Sequence, residues 1–215
     1  MALPATDAFT GTDSSYLKDR TGWSDTYASS MYIKATNRVT SELPGNYATG
    51  ASNMGGASWT SDSFAQDQYS EIIIVTALGY AGGGVIVRRQ AGADSYYGLL
   101  FNTETCWLFK RTAGSNATLD THDVTRTAGS KLRLTATGGA TTVLTAYYND
   151  VEILAATDTS TPFITGSAGV CGLGDNPAQR MDDWEGGDIG AAAGHPTMSR
   201  WQGIPGMKYT GRKGW

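Results

Sequence analysis

From Gln68 to Leu154, strand-length apolar stretches alternate with turn-forming residues, and nothing in the run reads as a helix. Residues 71–77, 84–89, 96–101, 105–111, 131–136 and 142–148 are each rich in β-branched and aromatic side chains, which suit a pleated, half-buried surface. The stretch 131–136 is the clearest: Leu132, Leu134 and Ala136 fall on one side, Lys131, Arg133 and Thr135 on the other. One face is therefore buried and the other wet. Turn compositions flank it at 127–130 and 137–140. Asn149 and Asp150 stand between two further runs, at the central positions of a tight hairpin, where positive φ is needed. The expected fold is all-β: two antiparallel sheets packed as a sandwich.

At 215 residues the chain has the length of one domain with a full core and a tail. Glycine supplies 28 residues and charged residues only 17%, against usual shares of about 7% and about 25%. That is the balance of a turn-rich β-protein, and no run is long and apolar enough to cross a membrane. Residues 1–9 contain neither a basic segment nor an apolar stretch of export-signal length, so the chain is not expected to be addressed to secretion and is expected to work in the cytosol or to reach the outside by lysis or assembly. Cys106 and Cys171 each sit in a strand-like run and are expected to be buried, reduced thiols, with a disulfide between them the alternative, which spacing does not decide.

Shorter strands are expected near Asp7, Trp23, Ile33 and Val39, in a loop-rich stretch that ends near Gly56. The glycines of 78–84 are not followed by a Lys-Ser/Thr pair or a helix, so they predict a connection between strands rather than a phosphate cradle. With only His122 and His195 in the chain, no histidine-rich metal cluster can form.

The order of particular residues then resembles a known family. Asp7 to Thr10, Trp23, Ile33 to Arg38, Asp67 to Glu71, Val85 to Arg88, Tyr96 and Tyr97, Trp107 to Lys110, Gly129 to Leu134, Asn149 to Glu152, Thr157 to Ser160, Gly166 to Val170 and Asp182 to Glu185 follow one another as in the concanavalin A-like lectin/glucanase superfamily, in its laminin-G-like branch. The resemblance covers about residues 5 to 189. It implies a jelly roll whose first and last strands are adjacent.

Glucanases of that superfamily carry acidic residues alternating along one strand, and retaining hydrolysis needs two carboxyl groups about 5–5.5 Å apart. The one dense acidic run here is 182–188, where Asp183 and Glu185 share a face. The resemblance makes this the closing strand, with its acids at an edge, so no catalytic residue is expected. It also implies a structural calcium where first and last strands meet, with Asp7 and Asp183 as the candidate ligands. Sugar-binding sandwiches use aromatic rings flanked by hydrogen-bonding side chains. Arg88, Tyr96, Tyr97 and Trp107 are the candidate glycan-binding residues, with Tyr147 and Tyr148 as further rings; alternation turns one of each adjacent pair inward.

Residues 190–215 differ from everything before them, with no strand alternation and with Pro196 and Pro205 against a long helix. This segment contains Arg200, Lys208, Arg212 and Lys213 and no acid; taking its +4 from the net −4 of the chain leaves −8 for residues 1–189. Trp201, Ile204, Met207, Tyr209 and Trp215 are too apolar for a solvated end. The segment is expected to be an extended arm that docks its aromatic and basic residues on its own acidic domain, on a neighbouring copy or on a different protein. Four basic residues are a short footprint for nucleic acid.

Together these features resemble a phage virion component, a capsid-decoration or tail-associated protein without catalytic activity, displaying a lectin-like sandwich. Its expected partners are the capsid protein, copies of itself and cell-surface glycans, with no membrane. A free carbohydrate-binding module and a glycoside hydrolase are the alternative classes.

Overall fold

The computed structural model describes residues 3–10, 15–25, 31–34, 38–40, 54–75, 82–102, 104–173 and 180–190. In chain order the strands are β1 (Ala5–Asp7), β2 (Trp23–Asp25), β3 (Tyr32–Lys34), β4 (Arg38–Thr40), β5 (Met54–Trp59), β6 (Gln68–Ile74), β7 (Gly82–Arg89) and β8 (Tyr96–Asn102). They continue as β9 (Thr105–Thr112), β10 (Ser115–Asp123), β11 (Ser130–Thr137), β12 (Thr142–Tyr148), β13 (Val151–Asp158), β14 (Ser167–Leu173) and β15 (Met181–Asp188). One 3-10 turn, Leu17–Asp19, precedes β2.

All pairings are antiparallel and make two sheets. The first runs β13-β12-β11-β6-β15-β4-β3, with β1 also paired to β15; the second runs β10-β9-β8-β7-β14-β5-β2. The sandwich expected from the sequence is thus the fold, and β1 lies beside β15, Ala5 opposite Gly186. The hairpin at Asn149 and Asp150 forms with φ of 50° and 64°, the left-handed values a two-residue turn between twisted strands requires.

Leu132, Leu134 and Ala136 of β11 face Val85, Val87, Leu99, Phe101, Leu108 and Val170 of the second sheet across one sealed core. Lys131, Arg133 and Thr135 lie on the outer face. Strand β6 alternates in the same way, burying Gln68, Ser70, Ile72 and Ile74. Both cysteines are free and buried; burial pushes the Cys106 thiol up to about 12.

Two expectations need correction. Gly82 to Gly84 belong to β7 rather than to a connection, paired with Asn102 to Leu100 on one side and Leu173 to Cys171 on the other. A Cβ at Gly82 would strike the Leu100 side chain, and one at Gly84 the Leu99 carbonyl, so the close approach of these strands selects glycine. The acidic closing strand is not at an edge either: β15 is flanked by β6 on one side and by β1 and β4 on the other, because the terminal strands join the sheet beyond it.

Candidate functional site

Four neighbouring strands of the first sheet turn polar side chains to its outer face in register. Tyr147 of β12 stands opposite Arg133 of β11, Arg133 opposite Glu71 of β6, and Glu71 opposite Glu185 of β15. This row, with Tyr69, Lys131, Thr135, Asp188 at the end of β15 and the following Ile189 and Gly190, lines a cleft of about 660 Å³.

The Arg133 guanidinium lies 4.5 Å from the centroid of the Tyr147 ring, a cation–π stack that fixes both side chains. Its Nη1 is 3.6 Å from Asp150 and 3.9 Å from Glu71. Lys131 Nζ is 2.8 Å from Asp150 and 3.8 Å from Glu71. Tyr69 donates its hydroxyl to Glu185, a reach open because β15 carries Gly187 opposite Tyr69: a Cβ there would come within 2.8 Å of the Tyr69 ring. Asp188 accepts the Ala65 amide at 2.7 Å, which pins the cleft's end.

Burial raises the Glu71 carboxyl above its ordinary value; Lys131 and Arg133 oppose that shift, and Glu185 and Asp150 reinforce it. Burial, then the bond to Glu185, pushes the Tyr69 phenol well up, so it stays a donor at neutral pH. The cleft therefore offers fixed cationic donors, carboxylate acceptors and aromatic rings in an open concavity, the equipment for a polyhydroxylated ligand.

A smaller pocket of about 480 Å³ shares the same two glutamates and is also lined by Thr6, Asp7, Ala8, Ile73, Asp183 and Trp184. The two calcium candidates thus share one pocket, as the closing of β1 on β15 requires. The Asp7 carboxylate is occupied by protein donors: Phe9 N at 2.7 Å and Arg20 Nη2 at 2.9 Å on one oxygen, Trp23 Nε1 at 2.8 Å on the other. Asp183 is exposed on a bulge, at φ 50°. No group of three or more metal-ligating side chains occurs among the described residues.

The glycan candidates taken from the second sheet lie elsewhere. Arg88, Tyr96 and Tyr97 are fully buried. Arg88 spends its guanidinium on the Gln66, Gly138 and Phe163 carbonyls and on Thr142, tying together the loops at one end of the sandwich. Tyr97 donates to Asp158 at 2.6 Å and accepts the Phe163 amide. None of the three presents an open face to a ligand, because β7 and β8 lie at the covered centre of their sheet. Trp107 is half-buried on that sheet's outer face, stacked on Phe109 at 4.6 Å with its Nε1 on Thr118. Of the two further rings, Tyr147 enters the cleft. Tyr148 turns to the core, edge-on to Phe101. Sequence reasoning identified Lys131 and Arg133 only as a wet face and left out Tyr69, Glu71 and Asp188. The arm residues Arg200, Trp201, Ile204, Met207, Lys208, Tyr209, Arg212, Lys213 and Trp215 lie outside the described residues.

The sequence matches no protein-family model and no curated protein. Solved structures do match in fold. A carbohydrate-binding module of the CBM66 type from Bacillus subtilis superposes with a TM-score of 0.54 at 15% identity, covering 76% of this chain and 92% of its own. A Bacillus subtilis protein of unknown function with a galectin-like fold gives 0.53 at 10%, covering 86% and 94%. A legume lectin-like domain from Entamoeba histolytica gives 0.51 at 11%, covering 79% and 91%. The fold is a lectin-like jelly roll. At these identities the likeness extends to the fold alone, so any function rests on the cleft.

Proposed function

We propose that this chain is a non-catalytic carbohydrate-binding protein and that the cleft on the outer face of its first sheet is the binding site. The observation that carries the reading is the row Tyr147, Arg133, Glu71 and Glu185 across four adjacent strands. A sugar laid along it meets an aromatic flank, charged donors and charged acceptors in sequence. The resemblance in fold to a carbohydrate-binding module and a legume lectin-like domain supports the choice of ligand class.

Glu71 and Glu185 face each other, yet each is committed: Glu71 to Lys131 and Arg133, Glu185 to the Tyr69 hydroxyl. Acceptors held in this way suit binding better than proton transfer. The finer setting we infer is a virion, with the sandwich displayed on the particle; the contrast between an acidic sandwich and a basic, aromatic arm supports it. In that setting the protein appears in purified particles at fixed copy number.

A glycan array probed with the full chain tests the binding. The unaltered protein retains a defined set of glycans, and Arg133→Ser with Tyr147→Ala weakens that retention by about 2 kcal/mol or more, as loss of a central interface anchor does. Retention unchanged in the double variant removes the cleft as the site. Release of reducing sugar that disappears in Glu185→Gln replaces the reading with a hydrolase.

A further inference from the structure

The row that lines the cleft does not stop at Glu185. Thr6 of β1 stands opposite Glu185 and is exposed. Tyr147, Arg133, Glu71, Glu185 and Thr6 therefore follow one another across five adjacent strands. With about 4.8 Å between strands, the row is about 19 Å long. Glu71 and Glu185 line both the larger cleft and the smaller pocket. A ligand that spans the row crosses from one hollow to the other at these two residues.

The charges along the row are unevenly satisfied. Lys131 and Arg133 have Asp150 at 2.8 and 3.6 Å and Glu71 at 3.8 and 3.9 Å. Glu185 accepts the Tyr69 hydroxyl and Asp188 the Ala65 amide; among the described residues neither has a cationic partner. Four carboxylates, those of Glu71, Asp150, Glu185 and Asp188, thus surround two cations, an excess of −2. Asp183, exposed at the smaller pocket, adds to it. Glu71 and Glu185 moreover stand directly opposite each other on neighbouring strands, where like charges destabilise the pair. Burial, joined by the Glu185 charge, raises the Glu71 carboxyl against the pull of Lys131 and Arg133. The folded chain leaves this repulsion unrelieved.

Resting on the reading of the cleft as a carbohydrate site, we infer that its ligand is a chain of amino sugars laid across the strands, with one protonated amine held between Glu71 and Glu185. An ammonium carries three donors and no acceptor, and two facing carboxylates receive it without a further ligand. A divalent metal ion in the same place asks for about six or more oxygens, and no group of three metal-ligating side chains occurs among the described residues. A chain of uronic acids adds negative charge to an excess of the same sign, and a neutral glycan leaves the pair as it is. At the other end of the row the Tyr147 ring, with the Arg133 guanidinium 4.5 Å from its centroid, supplies an apolar surface for a sugar ring.

Titration calorimetry of the full chain with glucosamine oligomers tests this. It is run at physiological salt, where diffuse attraction to an acidic protein is screened, and at a pH at which the sugar amines are protonated. The four-unit oligomer is expected to bind about tenfold or more tightly than its N-acetylated counterpart, as a charge-assisted contact provides, and more tightly than the two-unit oligomer. Glu185→Gln, whose amide oxygen still accepts the Tyr69 hydroxyl, and Glu71→Gln, which removes the facing like charge, each erase the preference for the amine. The comparison of ligands needs no variant and stands whether or not the variants fold. Equal affinity for the amine and N-acetylated oligomers, a preference for an oligouronate, or a preference for the amine that survives both substitutions overturns the inference. So does a two-unit oligomer that binds as tightly as the four-unit one. The underlying reading fails separately. If the unaltered chain binds no glycan, or if binding is unaffected by Arg133→Ser with Tyr147→Ala, the cleft is not the site and the inference falls with it. Sensitivity to that double variant without any preference for the amine removes the inference alone.

Discussion

Glu71 and Arg88 show how differently one chain can treat a buried charge. Arg88 is sealed at zero exposure, and three carbonyls and a hydroxyl receive its guanidinium. Burial still lowers its pKa, a cost that the loop closure it enforces must offset. Glu71 has no hydrogen bond of that kind, only ion pairs at 3.8 and 3.9 Å, and burial raises its carboxyl above 4.5. The folded chain therefore holds the Glu71 proton more tightly than the unfolded chain. The stability linked to that proton is fully present below 4.5 and is lost as pH rises through the raised folded value. Asp158 has the opposite sign. Burial alone would raise it, but bonds from Lys110 and Tyr97 hold it below 3.8, so its contribution is lost only on stronger acidification. Glu71→Gln should abolish the fall in stability above 4.5 and raise the urea midpoint at neutral pH. Parallel urea titrations of the two chains across that range check it; an unchanged slope assigns the pH dependence to another group.

At the scale of elements, β11 joins the core to the site, since its inward residues build the first and its outward residues the second. Leu134→Asp puts an unpaired charge among Ile72, Leu144 and the facing sheet and should cost several kcal/mol, enough to unfold the domain. Arg133→Ser should leave the thermal melt nearly in place and lose only ligand. Circular dichroism melts of the two variants separate these outcomes, and equal loss in both reverses the assigned facing. This strand and the hairpin after β12 were legible in the sequence because alternation and turn chemistry are local. β10 was not: its outward polar run, Ser115 to Asp123, has no apolar stripe, and it is a strand because β9 offers it a register from Ser115 to Asp123. β5 was partly hidden for a similar reason: Gly55, Gly56 and Ala57 give it no β-branched or aromatic run, and it is a strand because β14 offers it a register from Met54 to Ser58. The cleft depends on the order β12-β11-β6-β15, which joins residues more than a hundred positions apart. No local pattern carries that order. Arg88, Tyr96 and Tyr97 looked like site residues because their composition suits sugars, but composition does not tell an open face of a sheet from a covered one.

Across the whole molecule, the two sheets are joined at one end by indole rings, and the chain's first strand is fastened there. Trp23 of β2 and Trp59 of β5 come from the second sheet, Trp184 of β15 from the first; Trp23 lies 4.7 Å from Trp184 and 5.6 Å from Trp59, centroid to centroid. Each indole N–H has its acceptor: Asp7 for Trp23, Asp62 for Trp59 and Ser70 for Trp184. Asp7 is thus the point at which β1, the loop of Arg20 and the tryptophan cluster meet, and it is almost wholly buried, with 9% of its side chain exposed. Removing the carboxylate leaves Arg20 and the Trp23 N–H without their acceptor, so Asp7→Ala should cost about 2–4 kcal/mol. The same geometry bears on calcium at the meeting of the terminal strands. A cation on Asp7 has to displace the guanidinium, the indole N–H or the Phe9 amide, each already seated at 2.7–2.9 Å. Only a ligand that binds the folded state through free oxygens stabilises it by mass action. The melting temperature of the unaltered chain is therefore expected to be the same in calcium and in chelator, while Asp7→Ala melts lower in both. A rise with calcium that vanishes in Asp7→Ala would mean that the metal replaces the arginine and tryptophan donors, and that the terminal strands are closed by an ion rather than by the clamp seen here.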